Sequence, residues 1–196
     1  MGGVTFLQTS LAATVFVSCK LEDCNFIEVN LDGTSFQGCR LAQSVFLGCT
    51  GTKTVFYEAD IGNGRFVCGC RFEEADFRRA RMPRSTLRSG SFARCSFDEA
   101  VLSDSDISQG TFTEARFYRA DLRRVLATEC DLRDATMAGA NLMLAVLQGS
   151  DIRGANLRGT NLFAADLALV HADRETSLEG ALVTRARHRP LRKEAS

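Results

Sequence analysis

The sequence predicts an all-β solenoid, and three observations predict it. Apolar residues recur every fifth position along almost the whole chain, a small residue stands two places before each of them, and the series repeats on a longer 20-residue period. Five residues fit neither the 3.6 of a helix nor the 2 of a long strand, so each unit has to turn a corner.

The five-residue series starts at Phe6, Leu11, Phe16, Leu21 and Phe26 and runs to Phe66. One residue is inserted near 67–71, and the series resumes at Phe72 and Phe77 and continues to Leu167. Of these 33 centres 31 are bulky and apolar, with Gly51 and Ala127 the exceptions. That regularity marks a repeat array rather than an ordinary core. All 33 positions two residues earlier hold Ala, Cys, Ser, Thr, Gly or Val, which is what a narrow interior requires. A bulky side chain fills the axis there, and a second large one beside the tight backbone would overpack it. The residue just before the centre is often Asp or Asn, as at Asp60, Asp76, Asp121, Asp131, Asn141, Asp151 and Asn156. Short polar side chains of this kind bond nearby backbone and suit turns.

Three units, Ala120-Asp121-Leu122-Arg123-Arg124, Ala140-Asn141-Leu142-Met143-Leu144 and Ala155-Asn156-Leu157-Arg158-Gly159, resemble the pentapeptide-repeat family, whose consensus is A(D/N)LXX. The resemblance implies a right-handed quadrilateral β-helix in which four pentapeptides close one square coil. The chain supports four per coil from its own residues. From Phe72 the centres read Phe-Phe-Met-Leu, Phe-Phe-Leu-Ile and Phe-Phe-Leu-Ala, and outward charges alternate in sign 20 residues apart: Arg79, Glu99, Arg119; Arg84, Asp104, Arg124; Glu74, Arg94, Glu114. Neighbours on adjacent coils favour opposite charges. The expected organisation is a short lead at 1–3, about eight coils over 4–170, and a C-terminal segment at 171–196. In that segment Ser177 is placed to cap a short helix through Val183, followed by a basic tail of Arg185, Arg187, Arg189, Arg192 and Lys193.

Composition and motif content argue against several function classes. The 24 basic and 24 acidic side chains cancel, so no net field draws the chain to nucleic acid or anionic membrane. No apolar run reaches the roughly 20 residues of a membrane span, and Met1-Gly2-Gly3-Val4 lacks the charged and apolar regions of a signal peptide. A cytoplasmic protein is the default, with secretion as an effector a further reading. His171 and His188 are the only histidines and lie past the regular repeat. With no phosphate loop and no nucleophile–base pair, the chain is read as no enzyme, with no cofactor and no metal. Seven of the eight cysteines (Cys19, Cys24, Cys39, Cys49, Cys70, Cys95 and Cys130) occupy the inward small position and act there as buried thiols. Cys68 falls at the insertion and is the reactive candidate. The arginines from Arg65 to Arg94 are expected to spread around several faces as salt ladders.

The outward residues carry the functional reading. Leu7, Ile27, Leu47 and Val67 recur 20 apart and form one apolar column, and Val15, Val17, Val55 and Tyr57 lie on another face. A contiguous apolar stripe on a soluble surface marks an interface. Met143, Leu144, Phe163, Leu178 and Leu182 are the candidates for a cap or dimer contact near the C-terminus, where quinolone-resistance relatives dimerise. The entry into the repeat shows no cap, which implies a partner at that end or a longer natural chain. The leading expectation is a protein-interaction scaffold, an adaptor or a module of a bacterial secretion or assembly system. The alternative implied by the resemblance is a DNA-mimicking protein that binds and protects topoisomerase (gyrase). That class is strongly acidic, whereas this chain is neutral with a basic tail.

Overall fold

The computed structural model describes residues 2–188, and its backbone winds as a quadrilateral β-helix of parallel tiers. One face carries β1 (Thr5–Leu7), β2 (Asn25–Ile27), β3 (Val45–Leu47) and β5 (Arg65–Val67), paired in that order. A second face carries β4 (Thr50–Thr52) and β6 (Arg71–Glu73), paired to each other. Elsewhere each side of the square is held by a single parallel bridge. On the first face the register runs Thr5, Asn25, Val45, Arg65, Thr86, Asp106, Leu126, Val146, Asp166, Arg187. Those ten tiers close nine turns, one more than the sequence suggested, and at ~4.8 Å per tier they make a rod of about 43 Å.

The pentapeptide code works as backbone chemistry. At most corners the amide three residues after a centre donates to that centre's carbonyl, as Thr14 to Leu11 (2.9 Å) and Ala59 to Phe56 (3.0 Å). The third residue of such a turn has positive φ, 57° at Arg79 and 55° at Arg84, which is the pattern of a type II turn. The Asp or Asn before a centre accepts from the amide two residues on: Asp131 from Arg133 (3.2 Å), Asn161 from Phe163 (3.1 Å). The small inward residue does more than fit. Its hydroxyl or thiol donates to the centre carbonyl one tier below, as Ser44 to Leu21 (2.8 Å), Thr54 to Leu31 (2.9 Å) and Cys95 to Phe72 (3.0 Å). Ser, Thr and Cys are interchangeable there because each is small and supplies one donor.

The axis is packed with rings. Phe36, Phe56, Phe77 and Phe97 stack along the third face with centroids 4.7–5.2 Å apart, and Phe26, Phe46 and Phe66 stack at 4.6–4.7 Å on the first. Phe72 leans into the place left by Gly51, the one glycine centre. A Cβ on Gly51 would lie 2.9 Å from the Phe72 ring and 2.2 Å from Thr54 Oγ1. The inserted residue sits just before this ring. Cys68 and Gly69 are consecutive left-handed residues (φ 56° and 69°), and they shift the register from Val45↔Arg65 to Arg65↔Thr86.

The C-terminal segment corrects the expectation. No helix forms among the described residues, and Ser177 is not a cap. It bridges Asn156, while Leu182 bridges Asn161 and Arg187 bridges Asp166. The coil therefore continues after a second one-residue insertion between His171 and Ser177. Thr176 takes the inward small position and donates to the Ile152 carbonyl at 3.0 Å. The physical reason is that an exposed tier edge offers hydrogen bonds at once, whereas seven residues are too few to hold an isolated helix. Arg189, Arg192 and Lys193 of the basic tail lie outside the described residues.

Candidate protein interface

Leu7, Ile27, Leu47 and Val67 are brought together by strand register. Leu7 faces Ile27, Ile27 faces Leu47, and Leu47 faces Val67 on successive tiers. Each is the last residue of a three-residue strand. The turn follows at once, with positive φ at Gln8, Glu28 and Gly48 (46°, 52° and 62°), and the amide there donates to the next tier as it does at the other corners: Gln8 to Ile27 (2.8 Å), Glu28 to Leu47 (2.7 Å), Gly48 to Val67 (3.0 Å). The column therefore stands at the edge of a small parallel sheet, one residue before the turn. Leu7 is 59% exposed and the other three are half-buried. The next tier ends the column, because Arg65↔Thr86 sets Arg88 above Val67.

The other candidates fall less continuously. Val15 and Val17 are exposed on the third face, but Ser35 bridges Val15 and Val55, so a polar tier divides them from Val55 and Tyr57. Tyr57 belongs to a charged setting: its hydroxyl accepts from Arg79 (3.2 Å), and Arg78 lies over its ring at 5.6 Å. Met143 and Phe163 are neighbours on the fourth face, with Leu144 at the following corner and Leu182 one tier above. Arg185 covers the Phe163 ring at 5.7 Å. Leu178 sits apart from these, as a centre on the third face of the last tier, 43% exposed.

Charge separates the two parts of the rod. Residues 1–67 carry 4 basic and 6 acidic side chains, which leaves 20 basic and 18 acidic in the other 129. The apolar column thus occupies the charge-poor third. In the later tiers the arginines distribute over all four sides of the coil, and most have acids close by. Arg79 meets Glu99 at 2.9 Å, Arg124 meets Asp104 at 2.5 Å, and Arg94 meets Glu74 at 3.6 Å, each one tier apart. A second pattern is Asp-x-Arg within one pentapeptide: Asp76 with Arg78, Asp121 with Arg123, Asp131 with Arg133, Asp151 with Arg153, all at 2.5–2.7 Å. The Arg133 guanidinium holds the Asp131 carboxyl below the usual carboxylate range, and Arg153 does the same to Asp151. This intra-repeat pairing was written in the sequence as Asp and Arg two apart.

The eight cysteines are free thiols. Burial pushes Cys95 and Cys130 up to about 12, far from the thiolate that reacts. Cys68 is exposed at the bulge. Among the described residues no group of three or more His, Cys, Asp or Glu is placed to hold a metal ion, and no helix is long and apolar enough to cross a membrane.

The family model described as "Pentapeptide repeat region" matches residues 1–67. Models described as "Pentapeptide repeats" match 92–136 and 128–162. The chain belongs to the pentapeptide-repeat family. Among solved structures of this family it is similar to HetL, a pentapeptide-repeat protein involved in heterocyst differentiation regulation from the cyanobacterium Nostoc sp. strain PCC 7120. The two share 20% identity over 95% of this chain and 88% of that one, with a TM-score of 0.57. It is also similar to a trypsin-treated variant of QnrB1, a plasmid-mediated fluoroquinolone resistance protein. There the identity is 18%, over 91% of this chain and 90% of that one, with a TM-score of 0.52. Both likenesses are of fold. No curated protein matches the chain.

Proposed function

We propose that this pentapeptide-repeat protein is a non-catalytic interaction scaffold that binds a protein partner through the first face of its early tiers. The observation that carries the reading is the in-register column Leu7–Ile27–Leu47–Val67 on a parallel sheet in the charge-poor third of the rod. Solvated faces elsewhere carry ladders of ion pairs. An apolar stripe maintained over four tiers costs solubility, and occlusion by a partner offsets that cost. The interior is filled by its own side chains, which leaves the outer faces to carry function.

The topoisomerase-protection reading requires an acidic rod. The neutral composition and the pairing of acids with arginines disfavour it. The experiment compares wild-type protein with Leu47→Asp/Val67→Asp in binding to partners co-purified from the native host and then reconstituted pure. Loss of at least ~10-fold in affinity is expected from desolvating two carboxylates. Unchanged binding by every partner overturns the reading. A gyrase supercoiling assay with and without a fluoroquinolone is run beside it, and protection would replace the scaffold reading with the topoisomerase one.

A further inference from the structure

The column has a spacing and a charge gradient, and together they select the shape of what docks on it. This inference rests on the interface reading above. Leu7, Ile27, Leu47 and Val67 are one tier apart, a repeat of ~4.8 Å along the rod. A helix presents one apolar stripe at alternating steps of three and four residues, a mean rise of ~5.3 Å. An extended strand presents same-face side chains every ~6.7 Å. Over the three steps from Leu7 to Val67 a helix drifts out of register by roughly 1.4 Å, which side chains absorb. A strand drifts by roughly 5.7 Å, more than a whole tier.

Charge sets the direction. Glu28 is exposed beside the lower end of the column, directly after Ile27, and accepts only from Gln8 among its side-chain hydrogen bonds (2.9 Å), while Asp23 is exposed at the opposite corner of the same face. Arg65 is exposed beside the upper end and makes no ion pair among the described residues, and Arg88 closes the column one tier higher. A helix carries about half a positive charge at its N-terminus and half a negative charge at its C-terminus. A helix lying along the column with its N-terminus toward Glu28 matches both ends; the reverse orientation opposes both.

We infer that the column seats a short amphipathic helix of a partner protein, its N-terminus toward Glu28 and its C-terminus toward Arg65. The span of three tiers corresponds to about ten helical residues.

The test is selection from a display library of random 15-residue peptides on the full-length protein, with counter-selection on Leu47→Asp/Val67→Asp. Selected peptides are then measured pure against wild type, that double variant and Arg65→Glu, all three first shown to keep the wild-type β spectrum. Arg65→Glu changes an exposed side chain only and keeps the test open if the double variant fails to fold. The expected peptides place apolar residues at helical spacing and gain helical signal on binding. They lose ~10-fold or more on the double variant and about threefold on Arg65→Glu. Peptides with alternating apolar residues that stay extended, yet still need Leu47 and Val67, overturn the helix and leave the interface standing. Peptides indifferent to all the substitutions, or no enrichment of column-dependent peptides, overturn both.

Discussion

Before the Cys68–Gly69 bulge, the first face is a four-stranded sheet of three-residue strands with an apolar outer column. After it, the same face is held by single bridges and presents Arg88, Ser108 and Thr128 where the column stood. The inward code is common to both parts. A small inward residue and a bulky apolar centre recur in each tier, so the rod is continuous while its surface changes. The difference teaches that the interior specifies the fold and leaves the outer positions free to be set by function. The cores differ too: stacked phenylalanines dominate until Phe117, and Leu, Met, Ile and Ala fill the later tiers.

The largest effects should come from that core contrast. Phe56 stacks on Phe36 and Phe77 and meets Phe46, Phe66 and Phe72 edge-on. Phe56→Ala is expected to cost about 4 kcal/mol, and Leu157→Ala, on the same face in the later tiers, about 3 kcal/mol. Urea melts measure both, and a reversed order would mean that the ring stacks add nothing beyond volume. Gly51→Ala comes next. The added methyl collides with the Phe72 ring and Thr54, and overpacking of this kind costs about 1–3 kcal/mol. A neutral result would break the account of how Phe72 occupies the early core.

Smaller effects belong to the Asp-x-Arg pairs of the later tiers. Asp131→Ala removes the ion pair and the bond from the Arg133 amide, while Asp131→Asn keeps an acceptor for that amide. Losses of about 1 kcal/mol and about 0.5 kcal/mol are expected. The pH dependence has a definite sign. Asp131 and Asp151 are held below the ordinary carboxylate range by their arginines, so the unfolded chain binds protons more readily. Their stabilisation is present above about pH 4 and is lost as pH falls through the depressed values. Hydrogen exchange below about pH 4 should therefore show the later tiers loosening first. Earlier loosening of the tiers before the bulge would contradict this.

The fold was legible because five-residue periodicity has a single physical meaning, and the Asp and Asn turn positions followed from the same logic. The capping helix was misread. Ser177-Leu178-Glu179 looks like a helix start in isolation, but Thr176, Ala181 and Ala186 continue the small inward position once one inserted residue is allowed. The bonds from Ser44, Thr54 and Cys95 to carbonyls one tier below were not legible either. They depend on how close successive backbones stand, and composition shows only that the residues are small. For the interface, 20-residue spacing placed Leu7, Ile27, Leu47 and Val67 in one column. The same rule could not show that Ser35 divides Val15 from Val55, because only tier-by-tier register reveals a polar interruption.

The most direct measurement replaces Leu47 with a photoreactive amino acid in the native host and Thr136, on the third face of the later tiers, with the same residue as control. The account predicts a discrete crosslinked protein at position 47 that is absent at position 136 and disappears when Val67→Asp is added. Equal labelling at both positions, or a crosslink at 47 that survives Val67→Asp, would contradict it.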